Sequence, residues 1–520
     1  MKKIATALLS CALSAATLAG CAANAAQVPQ ESQEPHTAAL TATAAASVKS
    51  PKYVFLFIGD GMSYPQIQST SDYLGALKDA DYWQAQPSLD DNQGAILDGP
   101  EYLNFMNFEA AGSAVTYDSN SFAPDSASTA TSISTGHKTY SGSINVDETG
   151  TIEYETIAEQ LKAQKGWEIG VITSVNLNHA TPAAFYAHQA SRSSYYEIGL
   201  ELVESGFDYF AGGGLLKPTG SSGDQTDLYE LAQEAGYTVA KTHAEADAIG
   251  TNTEKAIIID EDLADSDAMA YELDRTDDMW ALADYVAKGI EVLDNDTGFF
   301  MMCEGGKIDR ACHANDAASS IPDTQALADA VQVAIDFAKE HADETLILVT
   351  GDHETGGLTI GFAGTDYDTY LDLLENQKIS FAKYDSDYVA SYKANKTPFG
   401  TVLADIEKLF GLKAQGEEGD KLVLTAYEME QLRAAYEKSI NGTASSQYDQ
   451  AEYVLYGTYE PLSVTITHII NNKSGISFTS YSHTGLPVAV LAEGAGSEMF
   501  NGYYDNTDIY NKLADLLNIA

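Results

Sequence analysis

Positive charge is scarce in this chain. Lysine and arginine together number 28 against 76 aspartates and glutamates, a formal net charge of −48, and arginine occurs only at positions 192, 275, 310 and 433. A surface that acidic repels nucleic acid and anionic lipid headgroups, so both are excluded as partners. It suits a protein kept soluble in salty surroundings, where the repulsion is screened. Any anionic small molecule must be drawn by a local concentration of positive charge, for which metal ions are the obvious source. Cysteine is also rare: four occur in 520 residues, and Cys11 and Cys21 lie near the N-terminus. The remaining Cys303 and Cys312 make no disulfide framework, and their spacing does not decide whether they pair. No run beyond the N-terminus is long and apolar enough to cross a bilayer.

What is present reads as globular. Hydrophobic residues make up 44% and aromatics 10%, which excludes wholesale disorder. Lys2 and Lys3 precede an Ala/Leu-rich stretch from Ile4 to Ala19, the pattern of a signal peptide and too short for a stable transmembrane helix. Leu18-Ala19-Gly20-Cys21 has the form of a lipobox whose cysteine is acylated after cleavage, a reading favoured over ordinary cleavage near Ala23-Asn24-Ala25. Residues 1–21 are therefore expected to be a signal peptide of lipoprotein type. Residues 22–50, rich in Ala, Ser, Thr and Gln, are expected to be a flexible tether. The expected location is outside the cytoplasm, periplasmic or held at a membrane by lipid alone.

From Lys52 onward, apolar runs alternate with amphipathic stretches. The fold class expected over 51–520 is α/β, with a mainly parallel central sheet flanked by helices. The clearest strands are Tyr53–Ile58, Glu168–Thr173, Phe299–Cys303, Leu346–Val349 and Val488–Leu491. Helices are expected over Thr156–Gln164, Tyr195–Ser205 and Thr324–His341. A stretch rich in Tyr, Lys and Asp, with helical periodicity around Thr401–Phe410 and Ala426–Ile440, reads as a surface insertion at about 366–460, with a small independent domain as the alternative.

Acidic and imidazole side chains gather just past the strand ends. Asp60 follows Tyr53–Ile58, Glu304 follows Phe299–Cys303, and Asp352 and His353 follow Leu346–Val349. Ligands of open parallel sheets bind at those carboxyl ends. A single acid there is an ordinary turn residue; three such ends, one with histidine, are harder to dismiss. Asp309 and His313 are four apart, so on a helix they share a face and can hold one metal ion. In Asp125-Ser126-Ala-Ser-Thr-Ala-Thr-Ser-Ile-Ser134, Pro124 and Asp125 supply a helix start and Gly136 a stop. Ser126 then sits at a helix N-terminus, where free amides and the dipole favour anions. A metal ion at its oxygen can ionise an otherwise poor nucleophile.

Asp60-Gly-Met, Asp125-Ser126-Ala, His179-Ala-Thr181-Pro, Ser191-Arg192, Glu304-Gly-Gly-Lys-Ile-Asp309, Gly351-Asp352-His353-Glu and Ser482-His483-Thr-Gly resemble the motifs of the alkaline phosphatase family, in that family's order. The matches run from Tyr53 nearly to the C-terminus. The resemblance implies hydrolysis of phosphate monoesters through a phosphoserine on Ser126, two Zn2+ and one Mg2+ per subunit, and a homodimer. It implies that Asp309, His313 and His483 hold the first zinc and that Asp60, Asp352 and His353 hold the second, beside the Ser126 oxygen. Asp60 would also bridge to a magnesium completed by Thr181 and Glu304. Arg192 would clamp the phosphate through paired hydrogen bonds. His179 stands beside the magnesium where many members have a carboxylate, and Arg310 stands near the substrate where they often have lysine. His188 is expected to be structural, and His36, His137, His243, His341 and His468 to be surface or packing residues.

Other readings weigh less. A sulfatase needs proline two residues before an arginine, and none of the four arginines has one. Phosphodiesterase relatives usually carry threonine as nucleophile and lack the magnesium site. A non-catalytic surface lipoprotein that stores metal would not need the Asp125-Ser126-Ala segment.

Overall fold

The computed structural model describes residues 50–79, 82, 96–442 and 444–519. The expected signal peptide and all but the last residue of the expected tether lie outside these. In chain order the strands of the main sheet are β1 (Tyr53–Gly59), β2 (Ala110–Val115), β3 (Glu168–Asn176), β4 (Tyr209–Gly213) and β5 (Thr238–Ala240). They continue with β6 (Ala256–Ile259), β7 (Phe299–Gly305), β8 (Thr345–Gly351), β9 (Val488–Gly494) and β10 (Gly502–Asp505). The sheet has ten strands in the order β10-β2-β9-β8-β1-β7-β3-β4-β6-β5. All run in one direction except β9, which is antiparallel to both β2 and β8.

Strand β1 sits at the centre because it is apolar on both faces. Val54, Leu56 and Ile58 belong to one core layer, and Tyr53, Phe55 and Phe57 to the other. Side chains alternate faces along a strand, so a strand buried on both sides reads as a continuous apolar run. Each large side chain so buried contributes about 1.5–3 kcal/mol. The five expected strands all form. Ala110–Val115 and Thr238–Ala240 carried no comparable run, being small, short or half exposed.

Helices form where caps and small residues allow. The Ser/Thr/Ala run is α1 (Ser126–Thr135), capped by Asp125 and ended by Gly136 in the left-handed region at φ 75°. All ten of its residues are buried, which small side chains permit. The helix α2 (Lys307–His313) follows β7 directly, and α3 (Ala317–Glu340) follows it. The latter begins before the expected Thr324 and runs through Pro322, which lies in its second turn and supplies no N–H to the Ala318 carbonyl.

Thr359–Ile360 pairs with Ile476–Ser477, so the chain between them leaves and returns at one place. Within that excursion Tyr384, Tyr392, Val402, Ile406, Phe410 and Leu432 share a core with Leu462 and Ile466 of α4 (Pro461–Ser474).

His188 does structural work. Its Nε2 lies 3.5 Å from Glu159 and its Nδ1 3.5 Å from Glu201. Burial works against its charge, but the two carboxylates win and push its pKa up to about 10. A pKa raised above the unfolded value stabilises fully below about 6.5, and the gain is lost as pH rises through about 10. His188→Gln is expected to cost on the order of 3 kcal/mol at neutral pH and little above about pH 10.5. Melting temperatures of both proteins across that range check this; a gap independent of pH would show that charge is not involved.

Candidate active site

Three parallel neighbours end together. Gly59 of β1 is in register with Gly305 of β7 and Gly351 of β8, and Ile58 with Glu304. Asp60 and Asp352 therefore emerge side by side. The approach is tight, since a Cβ on Gly351 would come within 1.8 Å of the Met62 carbonyl oxygen. His353 Nε2 lies 3.4 Å from Asp60 Oδ1 and 3.3 Å from Asp352 Oδ2. All three side chains are buried. Burial pushes the Asp60 carboxyl well above the usual carboxylate range, and the charges of Asp352 and Asp309 add to it. Burial likewise raises Asp352 to about 7, although the backbone amides of Gly61 and His353 donate to it. So many acids meet stably only around cations.

Asp309 and His313 project from one face of α2, as their spacing predicted. His313 Nε2 is 3.4 Å from Asp309 Oδ1, and His483 Nε2 is 3.6 Å from the same atom. The pair His483–Thr484 runs antiparallel to Glu354–Thr355, which ties His483 to the strand end carrying His353. His313 donates its Nδ1–H to the Tyr481 carbonyl and His483 donates its own to the Pro124 carbonyl, both at 2.6 Å. When both rings are neutral their Nε2 lone pairs face one another at 3.1 Å. Such a pair repels until a cation takes both, and anchoring of the far nitrogen is how metal-binding histidines are oriented.

A third group brings ligand atoms of Asp60, Glu304 and His179 within 4.8 Å of one another. Thr181 Oγ1 lies 3.5 Å from Asp60 Oδ2. Among the described residues Asp60 Oδ1, Glu304 Oε1 and His179 Nδ1 are buried with no hydrogen-bond partner. Buried polar atoms are nearly always paired, so these orphans fit a divalent cation. Burial, reinforced by Arg192 and Arg310, holds His179 well below its ordinary pKa and hence neutral.

Ser126 opens α1 with its Oγ 3.2 Å from His353 Nε2. Asp125 caps the helix through the Ser128 amide and also accepts from Arg192 Nη1 at 2.7 Å. Burial opposes that charge, but Arg192 and the Gly142 N–H hold the Asp125 carboxyl down at about 2. The guanidinium is thus fixed beside Ser126. Arg310 is placed differently: its Nη2 donates to Asn176 Oδ1 at 3.0 Å, and its Nη1 lies 3.7 Å from Asp265. Asp125 as the holder of Arg192 escaped the sequence reading. So did Thr355, whose hydroxyl lies 2.5 Å from Asp309 Oδ1 and 3.3 Å from His353 Nδ1. Cys303 and Cys312 are both free and buried.

Clustered imidazoles and carboxylates around a serine at a helix N-terminus, at the carboxyl ends of a parallel sheet, define a metal-dependent hydrolase of the phosphoryl-transfer class. The alkaline phosphatase family model matches residues 51–519. Alkaline phosphatase 4 of Bacillus subtilis is 30% identical over 473 residues, covering 89% of this chain and 88% of that protein. The cold-active alkaline phosphatase of a psychrophilic Shewanella superposes with a TM-score of 0.69 at 28% identity, covering 89% of this chain and 99% of that one. A histidine-to-glutamate variant of the alkaline phosphatase from the Antarctic bacterium TAB5, with magnesium bound in its M3 site, gives 0.60 at 25% identity, covering 91% and 99%. The chain belongs to the alkaline phosphatase family. It is a metal-dependent hydrolase of phosphate monoesters.

Proposed function

We propose that Ser126 is the nucleophile and that turnover passes through a phosphoserine. The observation that carries this is the Ser126 hydroxyl, buried at a helix N-terminus 3.2 Å from His353 Nε2 and beside an arginine anchored by Asp125. Asp309, His313 and His483 would hold one zinc and Asp60, Asp352 and His353 a second. The harder oxygen set of Asp60, Thr181 and Glu304 suits magnesium, with His179 beside it. When bound, these ions lower the pKa of the serine hydroxyl and of the attacking water and neutralise charge on the leaving oxygen. Ser126 gives up its hydroxyl proton as its Oγ attacks phosphorus in line, the ester P–O bond breaks, and its electron pair leaves on the alcohol oxygen, which takes up a proton in place of the one Ser126 released. Arg192, with Nη1 engaged by Asp125 and Nη2 3.4 Å from His179 Nε2, has a further N–H on each of these nitrogens for the phosphoryl oxygens. Arg310, held by Asn176 and Asp265, contributes positive field near the substrate. Water then attacks the phosphoserine in line from the vacated side, freeing inorganic phosphate and the serine. Acid quenching during turnover of labelled substrate is expected to leave phosphate on Ser126, and label on any other residue would overturn the assignment.

Residues 51–520 are read as one catalytic domain with an insertion at about 366–460, and the enzyme as a homodimer. The lipobox supports export with anchoring through Cys21. Cys21→Ser is then expected to move activity from the membrane fraction to the soluble one without detergent, whereas a mature N-terminus at Ala26 would show ordinary cleavage.

A further inference from the structure

The excursion reaches back to the ligand loops of the His313–His483 group at several points, with Gln377 Nε2 donating to Asp316 Oδ1 and the Tyr481 hydroxyl to the Leu455 carbonyl, and one of these points is Asn315. Asn315, two residues beyond His313, is buried and takes the left-handed conformation at φ 52°. Its Nδ2 donates to the Cys312 carbonyl at 2.9 Å and to the Ser480 carbonyl at 2.8 Å. Ser480 precedes Tyr481, whose carbonyl takes the Nδ1–H of His313. One amide thus fastens the end of α2, which carries Asp309 and His313, to the loop that carries His483. Both Nδ2 hydrogens are committed, so the Asn315 oxygen is an acceptor. It lies 2.9 Å from His468 Nε2 of α4, which must supply the N–H. Asn471, one turn along α4, donates from its Nδ2 to the Asn315 carbonyl at 2.7 Å. The His468 and Tyr481 rings sit 5.9 Å apart, centre to centre.

We propose that His468 is a positioning residue for metal binding: its N–H fixes the Asn315 amide, which holds both ligand loops in register. The inference rests on Asp309, His313 and His483 being metal ligands. It gives the excursion a role in the site, because α4 belongs to the excursion's own core through Leu462, Ile466 and Ile469. Without the N–H, the buried Asn315 oxygen has no donor, the amide is no longer fixed against rotation, and its hold on the two carbonyls loosens. Burial leaves His468 neutral, so it offers one N–H only.

The test is zinc retention by the full-length enzyme against a competing chelator, read as metal per protein. His468→Phe keeps the ring and removes the donor; His468→Gln restores a donor at about the place of Nε2. Outer partners of metal ligands typically change affinity by about 10- to 100-fold. His468→Phe is expected to lose zinc at chelator activity lower by that factor, His468→Gln to recover most of it, and the metal-free proteins to melt alike. If the Phe variant does not fold, His468→Ala takes its place under the same readout. Wild-type zinc retention without the donor overturns the proposal, as does a loss that Gln does not reverse and that accompanies a lower melting temperature of the metal-free protein. The ligand variant His483→Ala separates the two levels. If it too keeps its zinc, the ligand assignment fails; if it alone loses zinc, only the brace fails.

Discussion

Ser126→Ala is expected to lower kcat by about a thousandfold or more, the scale on which removal of the nucleophile acts in other covalent hydrolases. A methyl group cannot form the bond to phosphorus, and among the described residues the neighbouring hydroxyls are already engaged. Thr129 Oγ1 donates to Asp352 Oδ2 at 3.1 Å, and Ser128 Oγ is shared between Asp118 and Asp125. The scaffold should survive, because α1 is capped by Asp125 rather than by Ser126, and alanine is the better helix former. The acids and imidazoles of all three ligand groups also remain. The variant is therefore expected to fold, to keep its metals and to bind inorganic phosphate through Arg192. Steady-state kinetics beside metal analysis and phosphate inhibition check this. A kcat within about tenfold of wild type, with metal content unchanged, would remove Ser126 from the mechanism.

The parts of the fold that could be read were those where one physical term dominates. Strands β1, β7 and β8 announce themselves as apolar runs because both their faces are covered. Asp125 and Gly136 bracket α1 because cap chemistry is local. Ala110–Val115 and Gly502–Asp505 were silent, since small or half-exposed strands gain their stability from neighbours far along the chain. The direction of β9 was silent too: alternation along a strand is the same whether its partner runs with it or against it.

The site divides in the same way. Asp309 with His313, and Asp352 with His353, were legible because a helix or strand end fixes their spacing. The supports of those side chains were not. Arg192 meets Asp125, and Asn315 meets His468, only after the sheet has brought distant segments together. His468 was expected to be a surface or packing residue; it is part-buried beside Tyr481 and is also a donor to Asn315. A lone histidine on an amphipathic helix carries no sign of its partner.

His179 illustrates how such a partner alters a prediction. A carboxylate at 179 is expected to tighten magnesium binding, because it adds negative charge and two acceptors where a neutral imidazole offers one. The place suits it: His179 shares a group with Asp60 and Glu304, each of which has a buried oxygen without a partner among the described residues. Imidazole, by contrast, favours zinc, so the wild-type site should take zinc in competition. His179→Asp is expected to raise magnesium affinity by about 10- to 100-fold, seen as metal retained per protein and as a lower magnesium requirement for activity. There is a cost, and it comes from Arg192 rather than Arg310. Arg192 Nη2 lies 3.4 Å from His179 Nε2, whereas Arg310 is held by Asn176 and Asp265. The new carboxylate competes with Asp125 for that guanidinium and draws it from the phosphate, so KM should rise in magnesium-free enzyme and fall back as magnesium fills the site. If wild type already holds a full complement of magnesium without supplement, and the aspartate variant shifts neither retention nor KM, then His179 takes no part in holding the ion.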